Sequence, residues 1–364
     1  MNTIVLIDSG NTRLKVGVIG DRARDTGSAP DRNAGDRSSH AADGGLSDVD
    51  DLDEPVVTTD SAHDGKVGAC IGGVGTGRGN WSGDLQASVL DQDDVQSLKD
   101  WLAALPGPPV AALGTNVAGE ARAAIIEAAF AEIRCPIRWI APQAQAYGLT
   151  SRYTRPEQLG ADRWVSMLGV LARRDAVMHA SSCAFRSSES RPGSATGARS
   201  DHARQRTAGP SPAGALAPFL LASFGTATTL DTVSGENVFE GGLILPGPAM
   251  MRRSLASGTA NLPLADGDAV VYPTDTQHAI ASGVAAAQAG AVLRQWLAGL
   301  RRYGDAPHIY VAGGGWQEVE PETRRLLTDT AAAMGRLPPP IHIIENPVLH
   351  GLVRIAATIN LGQT

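Results

Sequence analysis

Apolar residues along this chain fall into short runs of two kinds. Thr3–Ile7 is a nearly unbroken β-branched run, whereas Leu14, Val16 and Val18 alternate with Lys15 and Gly17. A continuous run of that length predicts a strand covered on both faces, and alternation predicts one that is half buried. The turn Asp8–Arg13 lies between them, so the two strands are expected to form a hairpin. Further strands are predicted at Val110–Leu113, Ile137–Ile140, Pro218–Ser223, His308–Ala312 and Ile341–Ile344, with a hairpin through Val238–Leu245. Residues 93–105, 118–132, 276–302 and 319–334 carry the wider apolar spacing of helices, as does the segment from about Val348. Pro156–Arg174 predicts a helix with Pro in its first turn. On that helix Ala161, Val165, Leu168 and Ala172 form the stripe expected to be buried, and Asp162, Ser166, Gly169 and Arg173 share another. Strands and helices alternate throughout, which places the fold in the α/β class.

Two stretches interrupt this pattern. Residues 21–64 hold 12 acids against four Arg, and residues 180–215 are rich in Ser, Gly, Pro and Arg. Neither can bury enough apolar surface to offset the entropy of ordering, so both are expected to be disordered insertions. Outside them the chain divides into two halves, 1–150 and 151–364, each of domain size. The 43% hydrophobic content supplies a large core and excludes a coiled coil or a collagen-like fibre. The net charge of −7 argues against a nucleic-acid partner. Since 21–64 is by itself more negative than that, the remainder is close to neutral. The first residues lack a basic n-region and their apolar run stops at Asp8, so no signal peptide is read. No apolar stretch approaches the ~18 residues of a membrane span. Cys70, Cys135 and Cys183 form no CxxC, and the His residues form no HExxH. A cytoplasmic protein without membrane contact is expected.

Three strings carry candidate chemistry. In Asp8-Ser9-Gly10-Asn11-Thr12-Arg13-Leu14-Lys15 a strand ends in an acid and turns back sharply. Gly10 and Asn11 tolerate positive φ, and successive N–H groups in such a turn can cradle an anion. Thr12 adds a hydroxyl, Lys15 a cation, and Asp8 a carboxylate able to hold Mg²⁺ directly or through water. These are the parts of a nucleotide-phosphate site, although a plain hairpin turn would use the same residues. Gly65-Lys66 lacks the remainder of a Walker A loop, and Gly73 to Gly77 breaks off before a dinucleotide fingerprint is complete. The second string, Gly225-Thr226-Ala227-Thr228-Thr229-Leu230-Asp231, repeats strand, small-residue turn and acid in the other half. Two such hairpins imply a duplicated architecture with phosphates between the halves. Gly313-Gly314-Gly315, after a third strand, offers a flat backbone surface suited to an adenosine. The third string runs from Tyr153 through Gly160-Ala161-Asp162-Arg163 into the long helix. Asp162 near a helix N-terminus should stay ionised, because the dipole favours the anion there, and is a candidate base for a hydroxyl.

In this order the strings resemble the DxGNTxxK, GxDR and GTAxTxD motifs of the type III pantothenate kinases, members of the acetate and sugar kinase, Hsp70 and actin superfamily. Ser257–Pro263 is similar to that family's TAxLP segment, and Gly241-Gly242 to Pro246-Gly247 to its GG(x)₃PG loop. The resemblance implies a two-domain duplicated actin-like (ribonuclease H-like) fold with an ATP cleft between the domains. It implies transfer of the ATP γ-phosphoryl group to the hydroxyl of pantothenate, with Asp162 as the base. Asp8, Gly10, Asn11, Thr12, Lys15, Gly225, Thr226, Thr228, Gly313 and Gly314 would serve ATP, with Asp8 positioning Mg²⁺ through water. Asp231 would bind a monovalent cation, K⁺ or NH₄⁺. Tyr153, Gly160, Arg163 and Thr259 would meet pantothenate, Tyr153 and Arg163 at its carboxylate and amide region, Thr259 across the interface of a homodimer. Similar sequences have also been described as Bvg accessory factors acting on transcription. Other readings are another kinase of the superfamily and an actin-like ATPase scaffold, which needs no hydroxyl-activating acid.

Overall fold

A computed structural model describes residues 3–20, 85–91, 94–188 and 216–359, with 178–188 as backbone alone. The expected insertion 21–64 and the 189–215 part of the second lie outside the described residues. In chain order the strands are β1 (Thr3–Ser9), β2 (Arg13–Gly20), β3 (Gln86–Asp91), β4 (Ala111–Asn116), β5 (Ile137–Trp139), β6 (Gln145–Ala146), β7 (Leu149–Ser151), β8 (Phe219–Phe224), β9 (Ala227–Val233), β10 (Val238–Pro246), β11 (His308–Ala312) and β12 (Ile341–Ile343). The helices are α1 (Val95–Ala103), α2 (Glu120–Glu132), α3 (Ala161–Ser188), α4 (Pro248–Gly258), α5 (Thr276–Tyr303), α6 (Trp316–Ala333) and α7 (Pro347–Thr358).

The strands build the same plan twice. The first sheet has the order β3-β2-β1-β4-β5, with β1 antiparallel to β2 and parallel to β4. The second repeats it as β10-β9-β8-β11-β12, with β8 antiparallel to β9 and parallel to β11, and is extended past β10 by β7 and β6. This is the duplicated actin-like arrangement that the resemblance implied, and each copy opens with the hairpin that carries one of the two Gly/Thr turns.

Strand alternation sorts the core into layers. On β1, Val5 and Ile7 face one way and pack with Leu98, Leu102, Ile126 and Phe130 of α1 and α2. Ile4 and Leu6 face the other way, into a cluster with Val165 and Leu168 of α3, Leu349 and Leu352 of α7, and Phe219 and Leu221 of β8. The opposite face of β8, through Leu220, Ala222 and Phe224, packs on Val292 and Trp296 of α5 and Val319 of α6. Helices α3 and α7 therefore lie between the two sheets. Both faces of β1 and β8 are covered, which is why each reads as an apolar run.

Several elements differ from expectation. The helix predicted from Pro156 begins as a short 3₁₀ turn, Pro156–Gln158, breaks at Leu159 and Gly160, and restarts at Ala161. It then runs to Ser188, nine residues into the expected second insertion. No Gly or Pro stands between Arg174 and Pro192, and an established helix extends at one hydrogen bond per residue. Of the stripe Asp162, Ser166, Gly169 and Arg173, Arg173 is exposed, Ser166 and Gly169 are buried, and α7 lies against Gly169. A Cβ on Gly169 would sit 2.1 Å from the Pro347 carbonyl oxygen, and one on Gly351 would sit 2.0 Å from that of Val165. Two glycines thus let α3 and α7 cross backbone to backbone. Strands β3, β6 and β7 and helix α4 were not expected, the strands being short or weakly apolar. No helix of the described residues is long and apolar enough to cross a membrane.

Candidate active site

Register brings the first motif's residues together. Asp8 pairs with Lys15 on β2 and with Thr115 on β4, so all three side chains share one face of the sheet. Lys15 Nζ stands 3.8 Å from Asp8 Oδ2, and the Thr115 hydroxyl donates to Oδ1 at 3.3 Å. Thr115 belongs to no motif named above. Only its register opposite Asp8 marks it, and register is not written in one strand's sequence. The turn closes through Gly10 N–H to the Arg13 carbonyl at 3.2 Å. The turn is made without positive φ at either Gly10 or Asn11, although both residues tolerate it.

The second hairpin closes in a similar way, Gly225 N–H reaching the Ala227 carbonyl at 3.1 Å. The two turns meet. The Thr12 and Thr226 hydroxyls are 2.6 Å apart, although 214 residues separate them in sequence. Gly247 N–H donates to the Thr226 carbonyl at 3.0 Å, and a Cβ on Gly247 would lie 2.1 Å from the Gly225 carbonyl oxygen. The Gly-Gly-to-Pro-Gly loop is therefore the bed on which the second turn rests. Gly313 has φ +92°, and Gly315 N–H donates to the Phe224 carbonyl at 3.0 Å, so exposed Gly313 and Gly314 sit beside the same turn.

Thr228 is not with them. On β9 it points to the same side as Leu230 and Thr232, which pack against α5. It is fully buried there, and its hydroxyl has no partner among the described residues. Strand alternation puts Thr229 instead on the Asp231 side, where it hydrogen-bonds the Asp231 carboxylate. Thr228 was expected at phosphate; the pleat turns it away.

At the start of α3, the Arg163 backbone N–H donates to Asp162 Oδ1 at 2.8 Å. A Cβ on Gly160 would lie 2.6 Å from that same oxygen, so glycine there leaves room for the carboxylate to fold back. Burial pushes the Asp162 carboxyl above the ordinary carboxylate range, and the Arg163 N–H and charge draw it back only in part. The expected pull of the helix terminus toward the ionised form is overridden by desolvation. Asp8 behaves likewise. Burial raises it most, Lys15 opposes and the Asp162 charge adds, leaving it at about 6 against an ordinary 3.8. Asp162 also acts electrostatically on Asp231, so the three carboxylates form one cluster.

Asp231 is 1% exposed and committed to Arg163. The guanidinium donates through Nη2 to Oδ1 at 2.5 Å and through Nε to Oδ2 at 3.3 Å. Nη1 reaches the Tyr153 hydroxyl at 3.4 Å, and Cζ lies 5.9 Å from the Phe239 ring centroid. Burial opposes the charge on Arg163, but the hydrogen bonds and charge of Asp231 outweigh it and hold the guanidinium protonated. A guanidinium thus stands against the carboxylate that was expected to meet a monovalent cation. Tyr153 packs on Phe239 with ring centroids 5.2 Å apart.

Thr259 lies apart. It follows α4, is exposed, donates to the Leu255 carbonyl at 2.8 Å and accepts from Leu262 N–H at 3.3 Å. Beside it, Met251, Leu255, Leu262, Pro273, Ile280 and Val284 line an open groove of about 750 Å³ between α4 and α5. Leu264, Val271 and Tyr272 are exposed nearby in sequence, Tyr272 by 89%. Among the described residues, no hydrogen bond or ion pair links Thr259 to Asp162 or Arg163. No group of three or more His, Cys, Asp or Glu side chains that could hold a metal occurs among them either.

A family model for type III pantothenate kinase matches residues 72–181 and 213–298. The protein named type III pantothenate kinase from Bordetella bronchiseptica (strain ATCC BAA-588 / NCTC 13252 / RB50) is 51% identical over 269 residues, 74% of this chain and 86% of the relative. Its namesake from Bordetella petrii is 50% identical over 278 residues, 76% of this chain and 90% of the relative. One from Paracidovorax citrulli is 32% identical over 268 residues, 73% and 85% of the two chains.

Proposed function

This chain belongs to the type III pantothenate kinase family, and on that basis we propose that its cleft transfers the γ-phosphoryl group of ATP to the hydroxyl of pantothenate, giving 4′-phosphopantothenate for coenzyme A synthesis. The observation that carries this reading is the meeting of the two hairpin turns at Thr12 and Thr226, beside a cluster of buried carboxylates. Phosphoryl transfer depends on in-line positioning and charge compensation, and two facing sets of backbone N–H groups and hydroxyls supply both.

Gly10, Asn11, Thr12 and Lys15 would hold phosphate from one side, Gly225 and Thr226 from the other, with Gly313 and Gly314 toward the adenosine. Asp162 accepts the hydroxyl proton. Its raised proton affinity suits a base that must hold the proton as the phosphoryl group leaves ATP. Tyr153, Gly160 and Arg163 line the acceptor side.

The residues present fit a Mg²⁺ ion. Asp8 and Asp162 bear on each other electrostatically, and each holds its proton more tightly than a free carboxyl. A divalent cation would relieve the repulsion that Lys15 leaves. Asp8 would hold the ion directly or through water, and the ion would supply positive charge to offset that of the phosphates. Thr115 and Lys15 orient that carboxylate. A K⁺ or NH₄⁺ requirement remains part of the proposal, with Asp231 as its candidate ligand in competition with Arg163. The two halves meeting near residue 150, a cytoplasmic location, and a homodimer seated on the apolar groove between α4 and α5, which would bring Thr259 to a neighbouring acceptor site, complete it.

The test is a coupled turnover assay with and without pantothenate, in K⁺ and in Na⁺. Pantothenate-dependent, K⁺-stimulated ADP release is expected. Asp162→Asn should lower kcat by about 10²–10⁴-fold, the usual share of a general base, while ATP still binds. ATP hydrolysis indifferent to pantothenate would sink the reading.

A further inference from the structure

We infer that Asp231 is the positioning residue for Arg163, and that the two act as one neutral hydrogen-bonding unit at the hydroxyl end of the acceptor, not as the receptor for its carboxylate. The inference rests on the kinase reading and deepens it.

Arg163 is 6% exposed and Asp231 1%, so both charges are out of water. A buried ion persists only when paired and hydrogen-bonded, and this pair is bidentate. Its net charge is zero. A carboxylate approaching Arg163 would meet the Asp231 charge at nearly the same range and gain little. What Arg163 still offers is direction. Of its five N–H groups, two face Asp231 and one the Tyr153 hydroxyl, leaving two as fixed donors to a neutral oxygen. Arg163 also directly follows Asp162, whose carboxylate its backbone N–H holds. The guanidinium charge also acts on the Asp162 carboxylate, so an acceptor hydroxyl that meets Asp162 comes within reach of those free donors.

The sheet is cut to fit this pair. Gly242 on β10 is the register partner of Asp231. A Cβ there would lie 2.3 Å from Asp231 Oδ1 and 2.8 Å from Arg163 Nη2. No side chain other than hydrogen leaves room for the guanidinium to reach the carboxylate. The Phe239 and Tyr153 rings close the remaining sides.

The experiment compares pantothenate with its neutral amide, in which a carboxamide replaces the carboxylate. Each is measured by kcat/KM or, where the amide turns over slowly, by its inhibition constant against pantothenate. Arg163→Lys keeps the charge but loses the fork; Arg163→Gln loses both. Both variants should lower kcat/KM by tenfold or more, the share of a charge-assisted hydrogen bond. The acid-to-amide ratio should stay within about threefold of wild type in each. Gly242→Ala, which leaves every charge in place, should produce the same pattern.

Asp231→Asn strands a buried guanidinium and can fail to fold. The double variant Arg163→Gln/Asp231→Asn removes both charges. It should recover the wild-type Tm more closely than Asp231→Asn, without recovering turnover. If Arg163→Gln erases the acid-to-amide preference while Arg163→Lys keeps it, Arg163 is the carboxylate receptor and the inference falls. If Gly242→Ala keeps wild-type kcat/KM, the pair has no positioning role. A wild-type chain without pantothenate-dependent turnover removes the kinase reading itself, before any variant is compared.

Discussion

Asp8 is a carboxylate placed where the fold alone does not favour its charge. It is 8% exposed, and its proton affinity is raised to about 6 because burial outweighs Lys15 and Thr115. The sign of the linkage follows. The folded state holds this proton more tightly than the unfolded chain, so the stability attached to it is complete below about pH 4. It is lost as pH rises through about 6. Asp8→Asn should therefore be more stable than wild type at pH 7, by roughly 1–3 kcal/mol, with the difference vanishing near pH 4. Urea melts at the two pH values measure it. Equal or lower stability of Asp8→Asn at pH 7 would refute the electrostatic account. The same variant should lose phosphoryl transfer, a trade common where a site keeps an unfavourable charge for use.

At the scale of elements, α3 carries Asp162 and Arg163 at its first turn and is held between the sheets by α7. That contact depends on glycine. Gly351→Ala would push a methyl group to 2.0 Å from the Val165 carbonyl oxygen, and the helices must separate. A cost of about 1–3 kcal/mol is expected, as for overpacking elsewhere. Gly290 on α5 has open space around its Cβ position, so Gly290→Ala should instead stabilise by about 0.4–1 kcal/mol through helix propensity and the unfolded chain. Thermal melts of the two variants should move in opposite directions. The apolar stripe of α3 was readable from period 3.6 spacing. Burial of Gly169 on its second stripe was not, because no local pattern states that another helix will cross there.

For the molecule as a whole, the duplicated sheets matter because they bring two distant turns to one place. A nucleotide held by both turns binds the folded chain and not the unfolded one, so it stabilises by mass action. At about 100 times Kd, Mg²⁺-ATP should add about 2.7 kcal/mol, an upward Tm shift of a few degrees. Replacing Thr12 and Thr226 together by Val should abolish most of that shift while changing the ligand-free Tm little, since both side chains are exposed. A full ATP-dependent shift in the double variant would mean that the nucleotide does not lie between the turns.

The sequence by itself determined the alternating α/β pattern, most strand positions, the two Gly/Thr hairpins and the acids that follow or flank them. These are local properties: side-chain period, turn-forming residues and spacing along a few positions. Thr228, Asp231 and Asp162 stand in motifs visible in the sequence, but their situations were settled elsewhere. Which way Thr228 points follows from the pleat of β9 between two different layers. The partner of Asp231 stands 68 residues away and fits only because Gly242 lies opposite. The proton affinity of Asp162 is set by how much of the folded chain covers it, and so is that of Asp8. Desolvation and cross-strand register are sums over residues far apart in sequence. Only the tertiary structure carries them out, and they convert a set of motif residues into a site with assigned charges.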